Sequence, residues 1–186
     1  MASTASIELP VGTRAPAFTL PDTRNNQPVG PHDHAGQPLV IAFICNHCPY
    51  VVHILDALVE LAARSEKRGI ATIAISSNDI ASYPQDGPLK MAELARQRSF
   101  GFPYCFDETQ VVARAYEAVC TPDIYLFDAD HRLYYRGQFD DTRPSGRGNA
   151  GEAHGGDLWA AMMGLLDGKD APTDVKAGVG CSIKWR

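Results

Sequence analysis

No stretch of this 186-residue chain approaches the ~20 consecutive apolar residues that a membrane-spanning helix needs. The opening, MASTASIELPVGTRAP, has neither a basic nor an apolar segment of the kind that makes a secretory signal. Positive charge is not in excess: 17 Lys and Arg stand against 22 Asp and Glu. The resulting net charge of -5 argues against nucleic acid or an anionic membrane as a partner. An evenly paired set of cysteines is missing as well. The five present, at 45, 48, 105, 120 and 181, are odd in number and hold one tight pair, unlike the framework of a secreted disulfide-stapled domain. Together these absences predict a cytoplasmic protein whose cysteines serve catalysis, metal binding or packing. With no internal repeat and no linker, residues 1–186 read as a single domain. Its core spans about 11–168 and its tail 169–186.

What is present centres on residues 38–53, PLVIAFICNHCPYVVH. Leu39 to Ile44 is an apolar run of the length and β-branched content of a buried strand. Cys45-Asn46-His47-Cys48 follows, and then an amphipathic helical pattern. That order predicts Cys45 at the helix start, where unpaired N–H groups and the helix dipole favour a thiolate. Cys48 is expected a turn further in, within reach of a small disulfide ring. This is the layout of a redox dithiol. Two other uses of the pair are a partial zinc or copper(I) set with His47 or His53, and plain burial. No second Cys-x-x-Cys or His-x-x-x-His completes four metal ligands, so no metal and no cofactor is expected.

Residues 1–12 are small and polar and are expected to be loosely held. A short strand is expected around 17–20 and a turn-rich loop over 24–37. The helix after Cys45 runs to about Lys67 and stops before Gly69. Val51, Leu55, Leu58 and Ala62 form its apolar stripe. ATIAIS, 71–76, is a second buried strand, and 83–88 is a breaker segment. Helices are expected at 89–99, 109–118 and 157–166, a short strand at 103–106, and a hairpin from strands 123–127 and 132–139. Residues 140–156, rich in glycine, read as a long surface loop without a phosphate-binding pattern. Alternating strands and helices followed by a hairpin predict an α/β fold with a mixed central sheet flanked by helices. In the tail, Val179, Cys181, Ile183 and Trp185 alternate with small or polar residues. That spacing predicts an extended segment docked on the domain with Trp185 largely buried.

CNHCPYVVHI, AISSND, CTPDIYLFD, YRGQFDD and the terminal GCSIKWR together resemble the thioredoxin-fold superfamily. Within it the chain is similar to peroxiredoxin-like proteins of the AhpC/TSA, or redoxin, type, over nearly its whole length. The resemblance implies a thioredoxin-like fold with N- and C-terminal extensions, and catalytic Cys45 and Cys48. It places Pro122 as a cis-proline beside the dithiol, with the Thr121 backbone offering its N–H and C=O to an extended peptide. It also gives His47 the position from which a histidine favours the thiolate. The implied activity is thiol–disulfide exchange on protein or low-molecular-weight disulfides, with thioredoxin or glutathione as a reducing partner. The alternatives are a thiol peroxidase, a metal-binding module and an interaction domain.

The departures from the peroxiredoxin pattern matter. Ala42 stands at the threonine position counted back from Cys45, and the Thr121-Pro122 turn takes the place of an arginine. Without that hydroxyl and guanidinium, peroxide finds little to polarise its O–O bond. Residues 39–44 also lack the buried acid that thioredoxins carry before the motif. Cys105 reads as an inert core thiol. Cys120 and Cys181 are candidates for a third thiol. Asn78, Asp79, Asp140, Asp141 and Arg143 follow strand ends and are expected to be mainly solvated.

Overall fold

The computed structural model describes residues 3–186. Its strands are β1 (Ser3–Ala5), β2 (Leu20–Pro21), β3 (Pro28–Val29), β4 (Leu39–Phe43), β5 (Ala71–Ser76), β6 (Tyr104–Phe106), β7 (Cys120–Thr121), β8 (Asp123–Phe127), β9 (Leu133–Gly137) and β10 (Val179–Ser182). The helices are α1 (Pro49–Glu66), α2 (Pro88–Gln97), α3 (Val111–Ala115) and α4 (Gly156–Leu166). A five-stranded sheet runs in the order β6-β5-β4-β8-β9. β4, β5 and β6 are mutually parallel, while β8 runs antiparallel to both its neighbours, β4 and β9. The chain has a thioredoxin-like α/β fold. No helix among the described residues is long and apolar enough to cross a membrane.

The apolar run 39–44 makes β4 the centre of the molecule. Its side chains alternate between two cores. Val40, Ala42 and Ile44 face the cluster that holds Leu55 and Leu58 of α1 and Leu158 of α4. Leu39, Ile41 and Phe43 face a second cluster with Tyr116, Tyr125 and Phe127. Burial of each such side chain contributes roughly 1.5–3 kcal/mol. α1 begins with Pro49, whose missing N–H costs nothing at a first helical position. It ends where Gly69, at φ +82, lets the Ile70 N–H turn back to the Ser65 carbonyl.

A second, three-stranded sheet, β1-β10-β7, corrects two expectations. Residues 1 and 2 lie outside those described, but Ser3–Ala5 is held as a strand against β10. The tail does dock, yet Trp185 is 37% exposed rather than buried, and its ring stacks on the Arg114 guanidinium, 4.4 Å away. The tail's anchors are Cys181 and Ile183, at 2% and 3% exposure. The 109–118 helix shrinks to α3, because Gln110 and Glu117 both adopt positive φ and close it at either end. The 140–156 loop is irregular but anchored: the buried Asp140 carboxylate accepts the N–H groups of Thr142, His154 and Gly155.

A buried dithiol beside a cis-proline

Cys45 follows the end of β4, three residues before the N-cap of α1. Cys48 is the residue that caps the helix. This shifts the sequence expectation by three residues: the N-terminal end of α1 lies at Cys48, not at Cys45. Both sulfurs are buried, at 1% and 0% exposure, and both are thiols in this structure. The Thr121–Pro122 peptide bond beside them is cis. The Thr121 hydroxyl lies 3.4 Å from the Cys45 sulfur, and the Cys48 sulfur lies 3.0 Å from the Thr121 carbonyl oxygen.

The two thiols divide their proton affinity unequally. Cys48 is lowered to about 5, first by the hydrogen bond it receives from Cys45, against the opposing effect of burial, and further by Cys181 and by the Val51 N–H. Cys45 is raised well above the ordinary thiol range by that same shared hydrogen bond, then by burial and by the negative charge of Asp86. The direction at Cys45, upward, is opposite to the sequence expectation of a favoured Cys45 thiolate. The cause is local: Cys48 sits at the helix cap with donors around it, while Cys45 faces a carboxylate.

His47 is not a solvated helix-start residue. Its ring stacks on Tyr83 with centroids 4.9 Å apart, its Nδ1–H donates to Asp86 Oδ2 at 2.6 Å, and Nδ1 lies 3.9 Å from the Cys45 sulfur. Asp86 is fully buried and also accepts the Asn46 N–H and an Asn78 amide hydrogen, each at 2.8 Å. Asn78 in turn accepts the Lys184 N–H, which ties the tail to the site. The strand before the motif lacks a buried acid, and Asp86 from the turn after β5 supplies one. Sequence reasoning missed it, because in YPQDG the acid reads as ordinary turn chemistry. Asn78 is likewise buried, contrary to expectation, as is Asp140, whereas Asp141 is exposed.

Among the described residues, Cys45, His47 and Asp86 bring donor atoms within 4.8 Å of one another, a partial metal set. The 2.6 Å hydrogen bond already joins two of the three donors. His53, the other candidate ligand, bonds the Thr142 hydroxyl instead. Cys105 is buried at 0% exposure, and burial pushes its thiol up to about 12. Cys120 is buried too, held upward by desolvation, and donates to the Pro122 carbonyl 3.6 Å away.

The edge of Thr121, expected to receive a peptide, carries the protein's own tail. β10 runs antiparallel to β7 with Cys181 opposite Thr121 and Ser182 opposite Cys120. Gly180 makes the approach possible, since a Cβ there would run into the Thr121 carbonyl.

Residues 11–136 match the model of the AhpC/TSA family. No curated protein matches the chain. An uncharacterized conserved protein from Geobacillus kaustophilus is similar at 42% identity and TM-score 0.94, over 100% of this chain and 97% of that one. A hypothetical protein from Sinorhizobium meliloti 1021 is similar at 40% identity and TM-score 0.93, over 98% of each chain. Peroxidoxin BcpB from Mycobacterium tuberculosis shares the fold at 17% identity and TM-score 0.64, over 85% of this chain and 99% of that one.

Proposed function

Because the chain belongs to the AhpC/TSA family, we propose that it is a thiol–disulfide oxidoreductase in which Cys45 and Cys48 cycle between dithiol and disulfide. The observation that carries this reading is the burial of both thiols against the cis Thr121–Pro122 bond, with the Cys45 sulfur 3.4 Å from the Thr121 hydroxyl and the Cys48 sulfur 3.0 Å from the Thr121 carbonyl oxygen. Cys48 holds the charge of the reduced pair. Cys45 adjoins the partly exposed Asn46-His47 segment, so it is the sulfur that attacks a substrate disulfide. Its proton passes along the shared hydrogen bond to Cys48, and one substrate thiolate leaves. Cys48 then attacks the mixed disulfide. The internal Cys45–Cys48 disulfide forms, and the second substrate sulfur departs with the proton as a thiol.

With the Thr121 edge taken by β10, low-molecular-weight disulfides fit this conformation better than a strand-like peptide does. A thiol or dithiol reductant, of the glutathione or thioredoxin kind, returns the pair to the reduced state. The alternative reading is a thiol peroxidase. The Thr121 hydroxyl provides one group for a peroxide. Among the described residues the partners of Cys45 are Thr121, His47, Cys48 and the charge of Asp86, and none is a guanidinium.

A redox titration of the Cys45–Cys48 pair against glutathione tests the proposal. A reversible two-electron transition to an internal disulfide is expected in wild-type protein and absent from Cys48→Ser. Cys48→Ser should trap a mixed disulfide on Cys45. A pair that stays reduced throughout the titration counts against the reading, and stopped-flow oxidation by hydrogen peroxide at peroxiredoxin rates favours the peroxidase.

A further inference from the structure

β-sheet register brings a third thiol to the dithiol. Cys181 stands opposite Thr121 in the antiparallel β7–β10 pair, and directly opposed residues carry their side chains on the same face. That face is the one on which the Thr121 hydroxyl meets the Cys45 sulfur. Cys181 is buried in one cluster with Cys45 and Cys48, and it and Cys48 lie near enough to shift each other's proton affinity. Cys48 therefore shares one buried cluster with two other thiols, either of which is a candidate disulfide partner.

We propose that Cys181 is a third redox thiol of this site, exchanging with Cys48 so that the oxidised protein carries a Cys48–Cys181 disulfide as well as the Cys45–Cys48 one. The inference rests on the reading of Cys45 and Cys48 as a redox pair. In the step, the Cys181 sulfur attacks Cys48 within the Cys45–Cys48 disulfide. The Cys48–Cys181 bond forms, the Cys45–Cys48 bond breaks, and the proton of Cys181 passes to Cys45. Two electrons stay withdrawn from the protein throughout, so no outside oxidant or reductant takes part. The product is an oxidised protein with Cys45 free and β10 covalently fastened to the cap of α1.

The reduced and oxidised sites differ in a way that favours this order of events. In the reduced site the Cys181 thiol is pushed up to about 11, first by burial and then by the hydrogen bond and charge of Cys48, with Lys184 and Arg147 opposing. Once Cys48 is bonded in a disulfide, its charge is gone. Burial then acts alone against two cations. Cys181 becomes a better nucleophile when the bond it attacks has formed.

Disulfide mapping of the full chain tests the exchange. Trypsin leaves Cys45 and Cys48 together on peptide 25–64, which has no internal Lys or Arg, and Cys181 on peptide 177–184. Reduced native protein is oxidised with diamide, quenched in acid, alkylated and digested without reductant. The expected map contains 25–64 with an internal bridge and also 25–64 joined to 177–184. Cys45→Ser should give only the joined peptide, within a monomer. Cys181→Ala should keep the internal bridge and lose the joined species. An internal bridge in wild type, with Cys48 and Cys181 both free in Cys45→Ser, overturns the exchange alone. No disulfide of either kind in wild type overturns the redox-pair reading, and the exchange with it. Near-UV circular dichroism establishes that Cys45→Ser is folded, and if it is not, presence or absence of the joined peptide in wild type decides.

Discussion

Asp86→Asn tests whether the buried carboxylate organises the site. Its Oδ1 accepts the Asn46 N–H, and its Oδ2 accepts from both His47 and Asn78. An asparagine keeps the shape and one oxygen, but its amide group turns donors toward the two donors at Oδ2. Hydrogen bonds to a charged group contribute roughly 1.5–3 kcal/mol each. Rotating the Asn78 amide recovers one of the two lost bonds, at the expense of its bond from the Lys184 N–H. The net destabilisation is therefore about 2–4 kcal/mol. For a domain of this size that lowers Tm by on the order of 10 °C. The second effect has the opposite sense for the chemistry. The Asp86 charge is one of the causes that raise Cys45, so its removal lowers Cys45 and shifts the alkylation profile of that thiol to lower pH. The two measurements are a thermal melt and iodoacetamide rates at Cys45 read by peptide mass spectrometry across pH. An unchanged melt, with a Cys45 profile that stays in place or moves upward, would refute the reasoning.

Thiolate absorbance at 240 nm should persist as pH falls and vanish through about 5, where Cys48 takes up its proton. Cys45→Ala, which removes the first cause of that lowering, should move the transition upward, and a transition at ordinary thiol pH in wild type would contradict the assignment. Arg136→Met should cost about 3–5 kcal/mol in urea denaturation. It leaves the buried Asp123, beside Pro122, without the 2.9 Å ion pair that compensates its desolvation. In the tail, Ile183→Ala should destabilise by about 2–5 kcal/mol. Trp185→Ala should cost only about 0.5–1 kcal/mol, the worth of an exposed cation–π contact. Equal effects at the two positions would mean that the tail packs differently.

The central sheet was legible because its signals are local. The run at 39–44 and ATIAIS at 71–76 are β-branched and apolar over strand length, and Pro49 and Gly69 mark the two ends of α1. The dithiol itself was legible from Cys45, Cys48 and their place between strand and helix. What escaped depended on residues far apart in the chain. Nothing in the local pattern of Asp86 says that it meets His47, 39 positions earlier, because a turn acid and a buried acid look alike in sequence. Trp185 misled for a related reason. Alternation correctly predicted an extended tail, but only the register with β7 decides which residues of that tail reach the interior. The place of Cys48, and not Cys45, at the helix cap was also missed, because α1 starts three residues later than the motif suggested.

Gly180 gives this protein an unusual distribution of mutational tolerance. Its neighbour across the pair is backbone, the Thr121 carbonyl and the Pro122 nitrogen, which cannot swing aside as a side chain can. Even a methyl group at 180 would have to push the two strands apart. A saturation library read for soluble, folded protein should therefore show position 180 nearly closed to substitution, while exposed Trp185, five residues on, accepts many replacements. Gly180→Ala also becomes a tool. It is expected to lever β10, and Cys181 with it, away from Thr121 while all five cysteines remain in the chain.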